Sequence, residues 1–591
     1  MHSGHVITRQ WKPALAAAFL LSLITSIPQI HLWYVRGADW DGSCAYSDWD
    51  ELAYVAYANA LVDSRPRRND PYSGRDNGDS ESLFSIQFLP AYAVVIPARF
   101  LHIPADTAFI LLTPIATAAA VLVLSWLLFE LTGNSLLAAA GAICVISFAT
   151  AAAHSPLQMI SGVQTQYNPF PFLRRYIPAV PFPFFFLANF FVWRALTRRL
   201  VWVIGAAACF VILVYSYFFL WTALAAWFFT VLLFWFTLKP ETRGHVRKIA
   251  ATLAIAGVVA LVPYAWLLAQ RGHSMDREQI LELTHAPDLL RAPELYGTVI
   301  LCVLIYHFIK KRKRYHDPAI LFTASFAVTP LLIFNQQVIT GRSLQPFHYE
   351  EFVANYWVAV AAVLAVGLLP RGIPNRIYTY MAVAGLAVAL MLSGLTIRAM
   401  ETSNIRFDQL RPVARKLTQQ NADGLVFTSD GFLTQTIPTN SKLPVLWARY
   451  LYTFSNVRSS EQKDRYYQYL YYSGFDESAF GQMLRDDVTA QWEVFGPERV
   501  NPILLTSHRP VTQDEIASET QKYGQFARSF DSKLAATPLL RYAVVSPQDD
   551  LTNLDRWYDR TDGQQWGEFV MYTLKLKTKP ENQSVSHHDE P

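Results

Sequence analysis

The stretch SDWDELAYVAYANALV, residues 47 to 62, places three carboxylates, Asp48, Asp50 and Glu51, within four positions. Carboxylates so close together can take a proton from a hydroxyl or amide, pair with a base, or hold a divalent cation. Chelation needs oxygens side by side, which Asp48 with Asp50, or Asp50 with Glu51, would supply. A plainer alternative is a solvated helix N-terminus, where acids favour the helix dipole. The run behind the acids fits a helix, with Tyr54, Tyr57, Ala58 and Leu61 at three- and four-residue spacing.

Further polar groups gather in three later stretches. In HSPLQMISGVQTQYNPFPFLRRYIPAVPFPFFF, the residues Gln164, Gln166, Tyr167 and Asn168 offer hydrogen bonds without charge, a mix that suits sugar hydroxyls. Arg174 and Arg175 follow at the mouth of an apolar segment, placed either to clamp a lipid phosphate or to anchor the helix at the interface. RGHSMDREQILELTHAPDLLRAP holds His273, Asp276, Glu278 and His285, with no tight metal spacing among them. FNQQVITGRSLQPFHYEEF is denser, with Asn335, Gln336, Gln337, Gln345, His348, Glu350 and Glu351 beside a membrane face. Polar groups at such depth face a cavity or a partner. His348 can be an acid–base group, a metal ligand or a hydrogen-bonded structural histidine. Arg65, Arg67 and Arg68 can bind phosphate or belong to an ordinary polar loop.

The elements that must position these groups are membrane helices. The chain of 591 residues is 52% hydrophobic and only 16% charged, too apolar for an ordinary soluble protein of this size. Spans are expected at about 11–33, 105–130, 135–153, 177–196, 200–220, 221–238, 246–269, 294–309, 317–338, 351–369 and 376–398, eleven in all. The segment 84–103 carries Gln87, Pro90, Pro97 and Arg99, which suits the interface better than a crossing. With eleven spans and the N-terminus inside, the inner ends hold 16 basic residues and the later outer loops 6. That asymmetry sets the orientation: N-terminus cytoplasmic, C-terminus extracytoplasmic. The first segment is longer than a signal-peptide core and lacks a clear cleavage site, so it is expected to be retained. Cys44, Cys144, Cys209 and Cys302 offer neither a disulfide framework nor zinc spacing.

The expected organisation is a transmembrane domain over 1–399, with a first extracytoplasmic loop at 34–104, an extracytoplasmic α/β domain over 400–580, and a disordered tail at 581–591. In the α/β region GLVFTS, LPVLW, PILLT, LRYAVVS and FVMYTLKLK suggest strands, and RPVARKLTQQ, EQKDRYYQYLYY and TQDEIASETQKYGQFARSF suggest helices. No glycine-rich phosphate loop or nucleophile elbow is present.

With these residues laid out, the chain resembles the GT-C superfamily of integral-membrane glycosyltransferases. The resemblance rests on Asp48-Trp49-Asp50, or Asp50-Glu51, in the first outer loop, on DELAYVAYANALV and NDPYSG behind them, and on the outer C-terminal region. It implies a polytopic α-helical fold of about eleven spans in the bacterial inner membrane. It also implies transfer of a sugar from a polyprenyl-phosphate donor to a glycan, lipid or protein acceptor at the extracytoplasmic face. Asp50 would be the general base or metal-linked carboxylate, Asp48 the second choice and Glu51 the third. Arg174 and Arg175 would bind the donor phosphate, and His348 with Glu350 would complete the far wall, beside Gln166, Tyr167 and Gln345. A divalent cation (Mg or Mn) on Asp48 and Asp50 stays open, since the second outer loop lacks the acid that some members carry. No nucleic-acid partner is expected. Two rival classes are a polytopic transporter or flippase and a non-catalytic assembly protein of surface-polysaccharide export. A transporter would more often show paired repeats with charged, broken spans. An assembly protein would need no acid at position 50.

Overall fold

The computed structural model describes residues 2–152, 169–273, 281–310, 317–368, 373–419, 424–454, 457–500, 510–561 and 563–577. The chain is a polytopic α-helical membrane protein with a sheet-containing C-terminal part. It divides into two compact units. The first comprises Met1–Ala58, Phe84–Gln270 and Leu281–Ile405; the second comprises Asn59–Leu83, Arg271–Ile280 and Arg406–Pro591.

The first unit is helical because its sequence has long apolar runs that can satisfy backbone hydrogen bonds only within themselves. The segments expected to cross are helical, but 11–33 divides between His2–Thr25 and Ile27–Arg36, and 200–220 between Trp202–Val214 and Phe218–Leu238. Among the described residues, six helices are long and apolar enough to cross a membrane, or seven with the bent pair Trp11–Thr25 and Ile27–Asp39. Four shorter apolar helices, Leu89–Leu101, Ser135–Ala151, Trp202–Val214 and Ala292–His307, accompany them. Leu89–Leu101 has 13 residues, about 20 Å of helix, too short for a core of about 30 Å. The segment expected at 200–220 stops early. Trp202–Val214 ends before Tyr217, whose extended backbone starts the helix Phe218–Leu238.

Polar side chains tie these helices together where lipid offers no partner. Thr25 and Thr117 share a hydroxyl hydrogen bond of 3.1 Å, and the Ser393 hydroxyl donates to the Ile24 carbonyl at 2.8 Å. The Trp227 indole donates to Ser325 at 3.0 Å, and that of Trp357 to Asn189 at 3.2 Å. The rings of Trp227, Phe326, Trp357 and Phe185 stack between them in the buried centre.

The second unit is built on a five-stranded sheet. Leu425–Phe427 runs parallel to Leu540–Val545, which pairs antiparallel with Phe569–Leu576. Tyr558–Arg560 and Gln564–Trp566 both pair with that last strand. The helices Ser459–Tyr472 and Gln513–Arg528 supply Tyr471, Tyr472 and Phe526 to the sheet's apolar core. The expected strand LPVLW makes only an isolated bridge, Val426 with Val445, and PILLT lies outside the described residues. The tail 581–591 also lies outside them.

Residues 59–83 fold with this second unit rather than with the helices on either side of them in the chain. The Val445 amide donates to the Tyr72 carbonyl at 3.0 Å, Tyr72 stacks on Phe454, and Arg75 forks onto Glu461 at 3.0 and 2.6 Å. Asp70 organises the turn by accepting from the Tyr72 and Ser73 amides, both at 3.0 Å. Gly74 has φ +73°, and a Cβ there would meet Pro444 at 2.8 Å, so glycine is required.

Candidate active site

The helix Asp50–Val62 starts at the acidic cluster. Asp48 sits two residues before it and accepts the Glu51 amide at 3.2 Å, so it caps the helix. The helix is apolar on every side and buried on every side, with Leu52, Val55, Ala56 and Tyr57 wholly enclosed, so its N-terminal acids are held in a fixed place.

Two consecutive arginines, 124 residues later in the chain, meet these acids. Arg174 Nη2 donates to Asp50 Oδ2 at 2.8 Å, and its Nε lies 3.3 Å from Asp48 Oδ2. One guanidinium therefore bridges two carboxylates. Its flat faces lie against Tyr54 at 5.3 Å and Phe352 at 5.8 Å, the aromatic setting that a weakly hydrated guanidinium favours. Arg174 is 8% exposed, whereas the Asp50 side chain is 51% exposed and that of Asp48 33%. The buried cation thus holds one half-exposed acid, Asp50, and one more enclosed acid, Asp48. Arg174 Nη1 has no hydrogen-bond partner among the described residues.

Arg175 turns the other way. Its Nη1 lies 3.0 Å from both oxygens of Glu51 and also donates to the carbonyls of Ala45 and Leu173. Glu51 accepts in addition from the Arg175 amide at 2.9 Å and from the amide and hydroxyl of Ser47 at 2.6 and 3.0 Å. Glu51 and Arg175 are both fully enclosed, so this pair clamps the Arg174 loop to the helix start. The next residue, Tyr176, has φ +23°, an uncommon value for a side chain of this size. Its ring is wedged against Tyr54 at 5.0 Å and Phe109 at 6.0 Å, which holds the backbone there.

Loss of solvation, and then the charge of Asp50, raise the Asp48 carboxyl to about 7, against the lowering pull of Arg174. The protonation of Asp48 therefore changes near neutral pH, and with it the charge beside Asp50 and Arg174.

The helix that carries Phe352 closes the site's other side. A π-helical turn spans Glu350–Ala354, a distortion often found at functional sites. His348 lies one turn earlier, 3.2 Å from the Tyr217 hydroxyl and edge-on to Phe219. Tyr217 also faces the Arg174 guanidinium. Gln345 stands at the entry to this helix with φ +39°. Glu350 leaves this group and joins a second knot. It meets Arg291 Nη1 at 3.1 Å, Arg291 Nε meets Asp288 at 2.5 Å, and Asn335 bonds Glu294 at 2.8 Å. His285 donates toward the Val338 carbonyl at 3.1 Å and so has a structural part. Gln166 and Tyr167, with Asp276 and Glu278, lie outside the described residues.

A divalent cation is poorly suited to the Asp48–Asp50 pair. Arg174 already lies between the two acids, and no cluster of three His, Cys, Asp or Glu fit to hold a metal exists among the described residues. Tyr54, Tyr217 and Phe352 were not singled out by sequence as site residues. Tyr54 showed only as helical periodicity, Tyr217 was hidden in an apolar run, and Phe352 ends the polar stretch 334–352, where the charged residues before it drew the reading.

No protein-family model matches the sequence. No curated protein matches it either. Among solved structures the chain is similar to ArnT from Cupriavidus metallidurans bound to undecaprenyl phosphate. The two are 14% identical with a TM-score of 0.46, over 93% of this chain and 97% of that one. It is also similar to the apo oligosaccharyltransferase of Archaeoglobus fulgidus, at 10% identity and a TM-score of 0.40, over 96% of this chain and 75% of that one. The same archaeal enzyme tethered to an acceptor peptide containing the NVT sequon gives 11% identity and a TM-score of 0.38, with the same coverage.

Proposed function

We propose that this chain is a membrane glycosyltransferase of the GT-C type, moving a sugar from a polyprenyl-phosphate donor to an acceptor at the extracytoplasmic face. One observation carries the reading: a buried guanidinium bridges two carboxylates, of which Asp50 is half exposed and Asp48 more enclosed. Asp50, the more exposed acid, takes the proton from the acceptor group. The acceptor oxygen or nitrogen bonds to the anomeric carbon as that carbon's bond to the phosphate oxygen breaks. The polyprenyl phosphate leaves with the bonding electrons. Arg174 holds Asp50 in place through the 2.8 Å ion pair and is the cation nearest the reacting groups, placed to balance charge on the departing phosphate. Glu51 and Arg175 hold the arginine loop against the helix, a positioning role. No step runs through a metal, because Arg174 supplies positive charge between the acids. The positive-inside pattern supports the orientation, with the acids on the outer side.

The test is consumption of radiolabelled polyprenyl-phosphate sugars by purified protein in lipid, supplied with extracellular acceptor extract, with and without chelator, across pH 5 to 9. Asp48 carries a proton below about 7, which weakens its hold on Arg174, so the rate should fall as pH drops through that value. Chelator should leave the rate unchanged, and Asp48→Asn should remove the inflection. A chelator-sensitive rate, or the same inflection in Asp48→Asn, would contradict the roles given to Arg174 and Asp48.

A further inference from the structure

The second unit holds a cavity of about 290 Å³ outside the carboxyl ends of its parallel strands. Ser429 and Asp430 follow the first of these strands, and Ser546 follows the second. Crevices at this end of parallel strands are where α/β sheets bind small molecules. The size lies at the lower end for ligand pockets, enough for one ring rather than an extended chain.

The lining decides the chemistry. Arg406 donates to Asp430 at 2.8 Å, pairs with Glu568, and lies over the Phe569 ring at 5.7 Å. Asp549 accepts from the Ser429 hydroxyl and from the Ser546 amide at 2.8 Å. The only cation in the lining is therefore taken up by two carboxylates, and a third carboxylate, Asp549, adds further negative charge. An anionic ligand would be repelled. Carboxylate and hydroxyl acceptors want a ligand rich in O–H donors. Glu568 is 58% exposed, so it can turn toward such a ligand at little expense to the fold.

We propose that this cavity binds a single uncharged, hydroxyl-rich sugar ring, either as a free sugar or as the end of a glycan. The assignment stands apart from the transfer reaction, since every lining residue belongs to the second unit.

Saturation-transfer NMR on the full-length protein in lipid nanodiscs tests it. The probes are glucose, galactose and mannose, their methyl glycosides as stand-ins for a glycan end, and glucuronate as the anionic control. At least one neutral ring should bind, glucuronate should not, and Glu568→Gln with Asp549→Asn should weaken binding about tenfold, the expected loss of charge-assisted hydrogen bonds. A preference for the free sugar over the glycoside, or the reverse, identifies the source. Ser546→Ala serves as a milder second variant should the double variant fail to fold. Asp50→Asn should bind the ring as wild type does, which separates failure here from failure of the transfer reading. Absence of binding by every neutral ring, equal binding of glucuronate, or binding unaffected by the folded variants would overturn the proposal.

Discussion

Glu51→Ala is expected to destabilise the helical unit by about 3–5 kcal/mol, the usual effect of removing one partner from a buried ion pair. The size follows from how completely the carboxylate is used. It accepts from the Arg175 guanidinium, the Arg175 amide and both donors of Ser47, and none of it is exposed. Truncation leaves the Arg175 charge without its carboxylate in a closed space, facing only the carbonyls of Ala45 and Leu173. The loop bearing Arg174 would then lose its clamp. The measurement is the midpoint of thermal inactivation in lipid, read beside Glu51→Ala/Arg175→Met. The double variant should recover part of the loss, because no buried charge remains. An unchanged midpoint in Glu51→Ala would mean that the pair does not hold the loop.

Arg174→Ala is expected to lower kcat by about 10²–10³, comparable to removal of one preorganised donor from a transition-state site. The guanidinium does two things that alanine cannot. It bridges Asp48 and Asp50 and offsets part of their charge, and its planar fork fixes where the two acids stand. Without it the two acids repel each other, so a proton stays on the pair at neutral pH and the base is lost. Arg174→Lys should restore little. A single ammonium cannot bridge both carboxylates while lying flat between Tyr54 and Phe352. A kcat within twofold of wild type in Arg174→Lys would show that charge alone is sufficient and that the fork geometry is not used.

The acids and the arginines were legible in the sequence because charged residues beside apolar spans are rare and conspicuous. Their pairing was not legible. Arg174 meets Asp50 across 124 residues of chain, and nothing local to either stretch says which acid takes which arginine. Glu51 read as a third candidate base, but its neighbour-to-neighbour spacing on a helix start turns it inward while Asp50 faces out. Tyr217 was hidden for a different reason. The apolar run over 200–220 looked continuous, whereas the chain breaks at Tyr217 and exposes that side chain to His348. Glu350 and His348 were expected on one wall. Arg291, from a separate stretch, draws Glu350 into its own ion-pair knot. In the second unit the helices and the two longest strands were plain from periodicity. The edge segment LPVLW has strand-like residues but too little partner backbone to form more than a bridge.

The measurement that bears most directly on the transfer reading compares wild type with Asp50→Asn in lipid, recording donor consumption and polyprenyl-phosphate affinity on the same preparations. Asn keeps the size of the side chain and still meets Arg174, so donor affinity should hold within about threefold. Proton abstraction is lost, and kcat should fall by about 10²–10⁴. Equal donor consumption by the two proteins would contradict the base role of Asp50 and, with it, the placement of the reaction at this site.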